Sequence, residues 1–140
     1  MSINFFSEDI AFELENKQTI IRWINQVIED HKSSLGTINY IFCNDEYLLR
    51  LNKQYLDHDT YTDIITFDYS TPKVLSGEIY ISIDRVEENS IKFKSTFLNE
   101  LHRVIIHGIL HLTGQGDKTE KESKIMRSKE DHYLNLIDSK

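Results

Sequence analysis

Ser95-Thr96-Phe97-Leu98-Asn99-Glu100-Leu101-His102-Arg103-Val104-Ile105-Ile106-His107-Gly108-Ile109-Leu110-His111-Leu112-Thr113 is the stretch on which the fold turns. Read as a helix, it places Phe97, Leu98, Leu101, Val104, Ile105, Ile106, Ile109, Leu110 and Leu112 around most of its circumference. A helix apolar on so many sides belongs inside a core, covered by other elements. Gly114 and Gly116 end it, and Thr119-Glu120-Lys121-Glu122 matches a capping box that starts a last helix running towards Leu136.

The covering elements lie upstream. Ile20, Ile21, Trp23, Ile24, Val27 and Ile28 recur at helical spacing, and Lys32 to Gly36 supplies a stop, which predicts an amphipathic helix over residues 17–34. Residues 37–43 then read as a strand. Asn44-Asp45 caps a second helix through Glu46 to Gln54 with Leu48, Leu49 and Leu51 on its apolar face, and Asp57-His58-Asp59 forms a polar turn after it. Residues 63–69 are rich in β-branched and aromatic side chains, and residues 78–83 alternate Ile79, Ile81 and Ile83 with Tyr80 and Ser82, so both read as strands. The only proline, Pro72, falls in the loop between them. Strands and helices mix without a regular βαβ alternation, which predicts an α+β fold: a small mixed sheet packed with helices, the central buried helix carrying the histidines.

At 140 residues the chain fits one domain, residues 1–140, with seven Phe, seven Tyr and one Trp as bulky core candidates. Cys43 is the only cysteine, so no intramolecular disulfide forms, and its apolar neighbours make it a small core hydrophobe in a reducing cytoplasm. Met1 to Asp9 has no basic region followed by an apolar stretch, and no segment is apolar for long enough to span a bilayer, so the expected location is cytoplasmic with no membrane partner. A net charge of −7 argues against coating nucleic acid by bulk electrostatics; any such contact has to be local. Lys118, Lys121, Lys124, Arg127 and Lys129 are the richest basic stretch, but Glu120, Glu122 and Glu130 are interleaved, which favours a solvated helix face with paired charges.

Chemistry concentrates in His107-Gly108-Ile109-Leu110-His111-Leu112-Thr113-Gly114-Gln115-Gly116-Asp117. Residues four apart on a helix share a face, so His107 and His111 present two imidazoles to one point. Left unpaired among Ile, Leu and Val, each ring would cost on the order of 1–3 kcal/mol, a penalty that a metal ion removes. Gly114 and Gly116 let the backbone turn so that Asp117 swings beneath the rings as a third ligand. Two His and a carboxylate with one position open suit catalytic zinc, or another divalent metal, and the absence of a nearby Cys excludes a closed thiolate site. Zinc peptidases place a Glu base directly after the first His; here that residue is Gly108, so a peptidase has no base. His31, His58 and His132 sit in polar or charged surroundings as solvated histidines, while His102 points elsewhere on the helix and is at most a neighbour of the site. Thr62, Asp63, Thr66 and Glu78 are candidates to line a cleft and bond the imidazoles, against plain turn and strand-end chemistry. Arg85, Lys92, Lys94 and Arg103 are candidate phosphate contacts, against isolated surface charges.

These residues resemble the YbeY family, whose signature is His-Gly-x-Leu-His-Leu-x-Gly followed by Asp-His. His107 to Gly114 matches its first eight positions. Upstream, Leu51-Asn52-Lys53-Gln54-Tyr55, then Thr62-Asp63-Ile64-Ile65-Thr66-Phe67, then Gly77-Glu78-Ile79 are similar to the family's Leu-Asn-x-x-Tyr, Thr-Asp/Asn-Val-Leu-Ser-Phe and Gly-Asp-Ile elements, in order. Two positions depart: Asp117 stands where the family has its third His ligand, and Leu56 where many members have Arg. The resemblance implies an α+β fold with zinc at the floor of a cleft. It also implies endonucleolytic cutting of single-stranded RNA at the 3′ end of 16S ribosomal RNA and work in ribosome quality control. The expected partners are rRNA and the small ribosomal subunit or one of its proteins. On this view a metal-bound water is the nucleophile, its pKa lowered to near 7, and no side chain is assigned as base. A second reading stays open: a zinc-containing ribosome-assembly factor that binds RNA or a ribosomal protein without cutting, to which Asp117 and Leu56 lend weight.

Overall fold

The computed structural model describes residues 1–56 and 61–138, with side chains as far as Ile137. Nine elements follow in order: β1 Ser2–Ser7, α1 Lys17–Asp30, β2 Ser34–Cys43, α2 Asp45–Leu56, β3 Ile64–Asp68, β4 Val74–Ser82, α3 Ile83–Lys92, α4 Phe97–Leu112 and α5 Glu120–Asp138. The strands form one sheet in the order β1-β2-β4-β3. β1 and β4 run parallel to β2, and β3 closes an antiparallel pair with β4, so the sheet is mixed and the fold α+β as expected. The polar turn expected at Asp57-His58-Asp59 lies outside the described residues.

Alternation along the strands divides the side chains between two unequal layers. Ile38, Tyr40 and Phe42 of β2 and Leu75, Ile79 and Ile81 of β4 face the larger one, where α1, α4 and α5 supply Ile24, Val27, Ile105, Ile106, Ile109 and Tyr133. The opposite face meets α2 through Cys43, Leu48 and Ile65 with Tyr47, Phe67 and Tyr80 at the margin. Burial pushes the Cys43 thiol up to about 12, helped by the charges of Asp45, Asp84 and Asp9, as befits a thiol packed as a hydrophobe. α4 sits at the centre of the larger layer, its Ile105, Ile106, Ile109 and Leu110 fully buried. Two details seat it there: Tyr40 Oη donates to the Ile105 carbonyl at 2.9 Å, and Gly108 lies against the sheet. A Cβ at Gly108 would stand 3.0 Å from two side-chain carbons of Ile79 and 3.2 Å from Ile64 Cδ1, so this glycine sets the approach of helix to sheet.

The caps read from sequence are present. Asn44 Oδ1 accepts from Tyr47 N–H at 2.9 Å at the start of α2, and Thr119 and Glu122 exchange side-chain to backbone bonds of 3.0 and 3.2 Å, a complete capping box. Other boundaries differ. α1 stops at Asp30, not 34, because Lys32 takes a left-handed φ of 57° and Ser34 N–H already bonds the Lys73 carbonyl at 2.7 Å, opening β2. β1 was not expected: it is an edge strand in which Ile3 alone is buried, too short to show alternation, yet it makes β1-α1-β2 a parallel crossover unit. α3 was not expected either. Ile83, read as the end of a strand, is the first residue of a helix that buries only Ile83, Val86 and Ser90 and is capped by Ser82 Oγ accepting from Arg85 N–H.

Candidate metal centre

The C-terminal turns of α4 fix two of the donors. His107 and His111 stand one turn apart with ring centroids 4.6 Å from each other and planes at 81°. The helix then ends in a glycine-terminated reversal: Gly114 adopts φ 99°, its N–H bonds the His111 carbonyl at 2.9 Å, and Gln115 N–H bonds the Leu110 carbonyl at 3.1 Å. This double bond pattern turns the chain back under the helix, bringing Asp117 Oδ2 to 3.3 Å from Nε2 of His107 and 3.3 Å from Nε2 of His111. The three donor atoms lie within 4.8 Å of one another. Two ligands at zinc's usual bond lengths and a tetrahedral angle stand about 3.4 Å apart, so both His–Asp separations fit a single ion. Among the described residues this is the one grouping of His, Cys, Asp and Glu able to hold a metal.

The donors form part of the wall of a cleft of about 690 Å³. Thr62, Asp63 and Thr66 line it from beside and within β3, as the sequence suggested, and Leu56 at the end of α2 lines it too. Glu78 does not; it faces the other side of the sheet, where its Oε1 accepts from Tyr69 Oη at 3.2 Å. Of the candidate phosphate contacts, Arg85 is engaged with Asp45 at 2.9 Å and Glu88 at 3.2 Å and does not line the cleft, and Lys92 lies over the Phe93 ring. Arg103 reaches the cleft but is held by Glu130 at 2.9 Å and Asp131 at 2.8 Å. Lys118 and Arg127, both from the basic stretch, line the cleft, while Lys124 follows the solvated expectation in a surface pair with Glu120.

Sequence reasoning missed Glu130. Interleaved with lysines, it reads as a solvated charge, yet its side chain is 6% exposed, and its Oε2 lies 2.6 Å from His107 Nδ1, within hydrogen-bond distance. The usable signal was spacing: Met126, Glu130, Tyr133, Leu134 and Ile137 share the buried face of α5. His102, by contrast, packs against Trp23 and takes no part in the cleft. His31 caps α1, its Nδ1 2.8 Å from the Val27 carbonyl, and His132 is exposed.

Burial acts to lower the His107 pKa, but the hydrogen bond to Glu130 and the charges of Glu130, Asp117 and Asp63 outweigh it, so the pKa is raised. Burial likewise raises the Asp63 carboxyl, against the opposing pull of His107, and it raises Glu100 with Asp63 adding to the effect. The cleft is thus rich in negative charge that a divalent cation would relieve.

A mixed α+β fold with two imidazoles a turn apart and a carboxylate at an open cleft defines a class of domains whose donors could hold one metal ion with room beside it. Comparison with known proteins narrows the class. A family model described as Endoribonuclease YbeY matches residues 2–138, and the chain belongs to that family. It is 52% identical over 136 residues to the endoribonuclease YbeY of Cytophaga hutchinsonii, covering 96% of this chain and 95% of that one. It is 51% identical over 132 residues to that of Flavobacterium psychrophilum, covering 94% of each. A solution structure of a Thermotoga maritima protein superposes with a TM-score of 0.69 at 29% identity, over 97% of this chain and 89% of the other. No helix among the described residues is long and apolar enough to cross a membrane.

Proposed function

We propose that the chain is a metal-dependent endoribonuclease that holds one divalent ion, zinc by the nature of its donors, on His107, His111 and Asp117. Its substrate on this reading is single-stranded RNA, specifically ribosomal RNA at the 3′ end of the 16S molecule, cut in the cytoplasm in company with the small ribosomal subunit or one of its proteins. The observation that carries the metal is the donor triad, with both imidazole nitrogens 3.3 Å from one carboxylate oxygen at the open cleft. The family names carry the RNA chemistry.

When bound, a divalent ion supplies Lewis acidity and lowers the pKa of water, the chemistry phosphodiester hydrolysis requires at neutral pH. Nε2 of His107 and of His111 and Oδ2 of Asp117 are the atoms that would hold it. Lys118 and Arg127 offer positive charge to the phosphates of a strand lying in the cleft. Arg103 does not join them, because two carboxylates already occupy its guanidinium. Thr62 and Thr66 present hydroxyls able to bond sugar or phosphate oxygens.

A second reading is favoured by one observation. Leu56, at the position where the family resemblance implies Arg, lines the cleft itself, and with Arg103 engaged the site has few cations for a transition state. The protein would then assist ribosome assembly by binding RNA or a ribosomal protein without cutting. Incubating the purified protein with single-stranded RNA, with and without chelator and beside His111→Ala, separates the two. Cutting that vanishes in the chelated and mutant samples supports the nuclease; cutting that persists in both removes the metal from the mechanism, and none in metal-loaded wild type favours the assembly factor.

A further inference from the structure

Behind the donors, four side chains of α4 and α5 form a relay. Asp131 Oδ1 accepts from Arg103 Nη2 at 2.8 Å, Arg103 Nη1 donates to Glu130 Oε1 at 2.9 Å, and Glu130 Oε2 meets His107 Nδ1 at 2.6 Å. The far ring nitrogen of His107 then faces Asp117. Burying a carboxylate is costly unless its oxygens are paired, and each oxygen of Glu130 has its own donor. A carboxylate only accepts, so its partner Nδ1 carries the hydrogen, and the lone pair of the neutral ring is on Nε2. His111 has no equivalent: among the described residues its only carboxylate partner is Asp117, on the donor side.

The geometry points to Glu130 as a positioning residue that locks His107 in the tautomer whose Nε2 lone pair faces Asp117 and His111, with Arg103, pinned by Asp131, holding Glu130 in place. This role rests on the metal reading above and is independent of whether RNA is cut. A fixed tautomer removes a rearrangement that must otherwise precede binding, and negative charge behind the ring makes its outer nitrogen a better donor. Because Glu130 is on α5 and His107 on α4, the same contact ties the C-terminal helix to the site.

Glu130→Gln tests the role with little change of shape. The amide can accept from Nδ1–H through its oxygen or donate to Nδ1 through its nitrogen, so it no longer selects a tautomer. Zinc titrated against a chromophoric chelator should bind the variant about 10–100-fold more weakly than wild type, at unchanged stoichiometry. Long-range proton–nitrogen NMR of metal-free wild type, at a pH where the ring is neutral, should show His107 as the Nδ1–H form alone; this measurement decides the matter even where the variant does not fold. A variant that binds zinc as tightly as wild type, or a wild-type His107 carrying its proton on Nε2, overturns the positioning role and leaves the metal site standing. Wild type that takes up no zinc overturns both.

Discussion

The two sides of α4 solve opposite problems. Towards the sheet, Ile105, Gly108 and Ile109 meet Ile79 and their neighbours in a contact made chiefly of packed volume, to which many side chains contribute beside the Tyr40–Ile105 hydrogen bond. Towards the cleft, Arg103, His107 and His111 meet Glu130, Asp131 and Asp117 in contacts that each depend on one pair of atoms. The apolar side is graded and collective, whereas on the polar side a single lost atom changes what the site can do. Stability and function should therefore separate across one helix.

The sharpest way to break this division is Gly108→Glu, which restores the general base of a zinc peptidase at the position after the first histidine. In this fold that position faces Ile79 and Ile64, so the change buries a charge against the sheet and should cost several kcal/mol of stability while conferring no peptidase activity. Chemical denaturation and a peptide-cleavage assay read the two outcomes. A stable variant would mean α4 is not pressed against the sheet by the glycine. Next in size, Ile105→Ala removes a fully buried side chain and should cost about 2–5 kcal/mol by denaturant unfolding, with zinc affinity unchanged in the protein that remains folded. A parallel loss of affinity would show that the two sides are coupled.

The same division explains what could be read from sequence. The sheet-facing side of α4 was legible because hydrophobic periodicity records burial directly, and the Thr119–Glu122 box and Asn44 cap because their partners are close in sequence. The meeting of His107, His111 and Asp117 was legible for a related reason: they fall within eleven residues of a helix and its reversal. Glu130 was not, since its partner His107 lies 23 residues away on another helix, and a Glu in a stretch of alternating charges looks solvated. β1 and α3 stayed hidden because each buries few side chains and is placed by pairing or packing with distant segments, β1 against β2 and α3 against α4. Arg103 was read as a surface charge or phosphate contact because nothing local reveals Asp131 across the helix interface.

The smallest expected effect concerns the cleft mouth. Leu56→Arg would add one cation at the cleft wall, and should steepen the salt dependence of RNA binding by about 0.7 in log–log slope, one further phosphate contact to a single strand. A gain in cutting with that change would identify Leu56 as a brake on catalysis; an unchanged slope would place the RNA elsewhere.

The most direct test of the account is the position of the ion. Diffraction data collected at the zinc absorption edge from crystals of the zinc-loaded protein should show one anomalous peak about 2.0–2.2 Å from Nε2 of His107, Nε2 of His111 and a carboxylate oxygen of Asp117. A fully loaded crystal with no peak there, or with its peak on other residues, would contradict it.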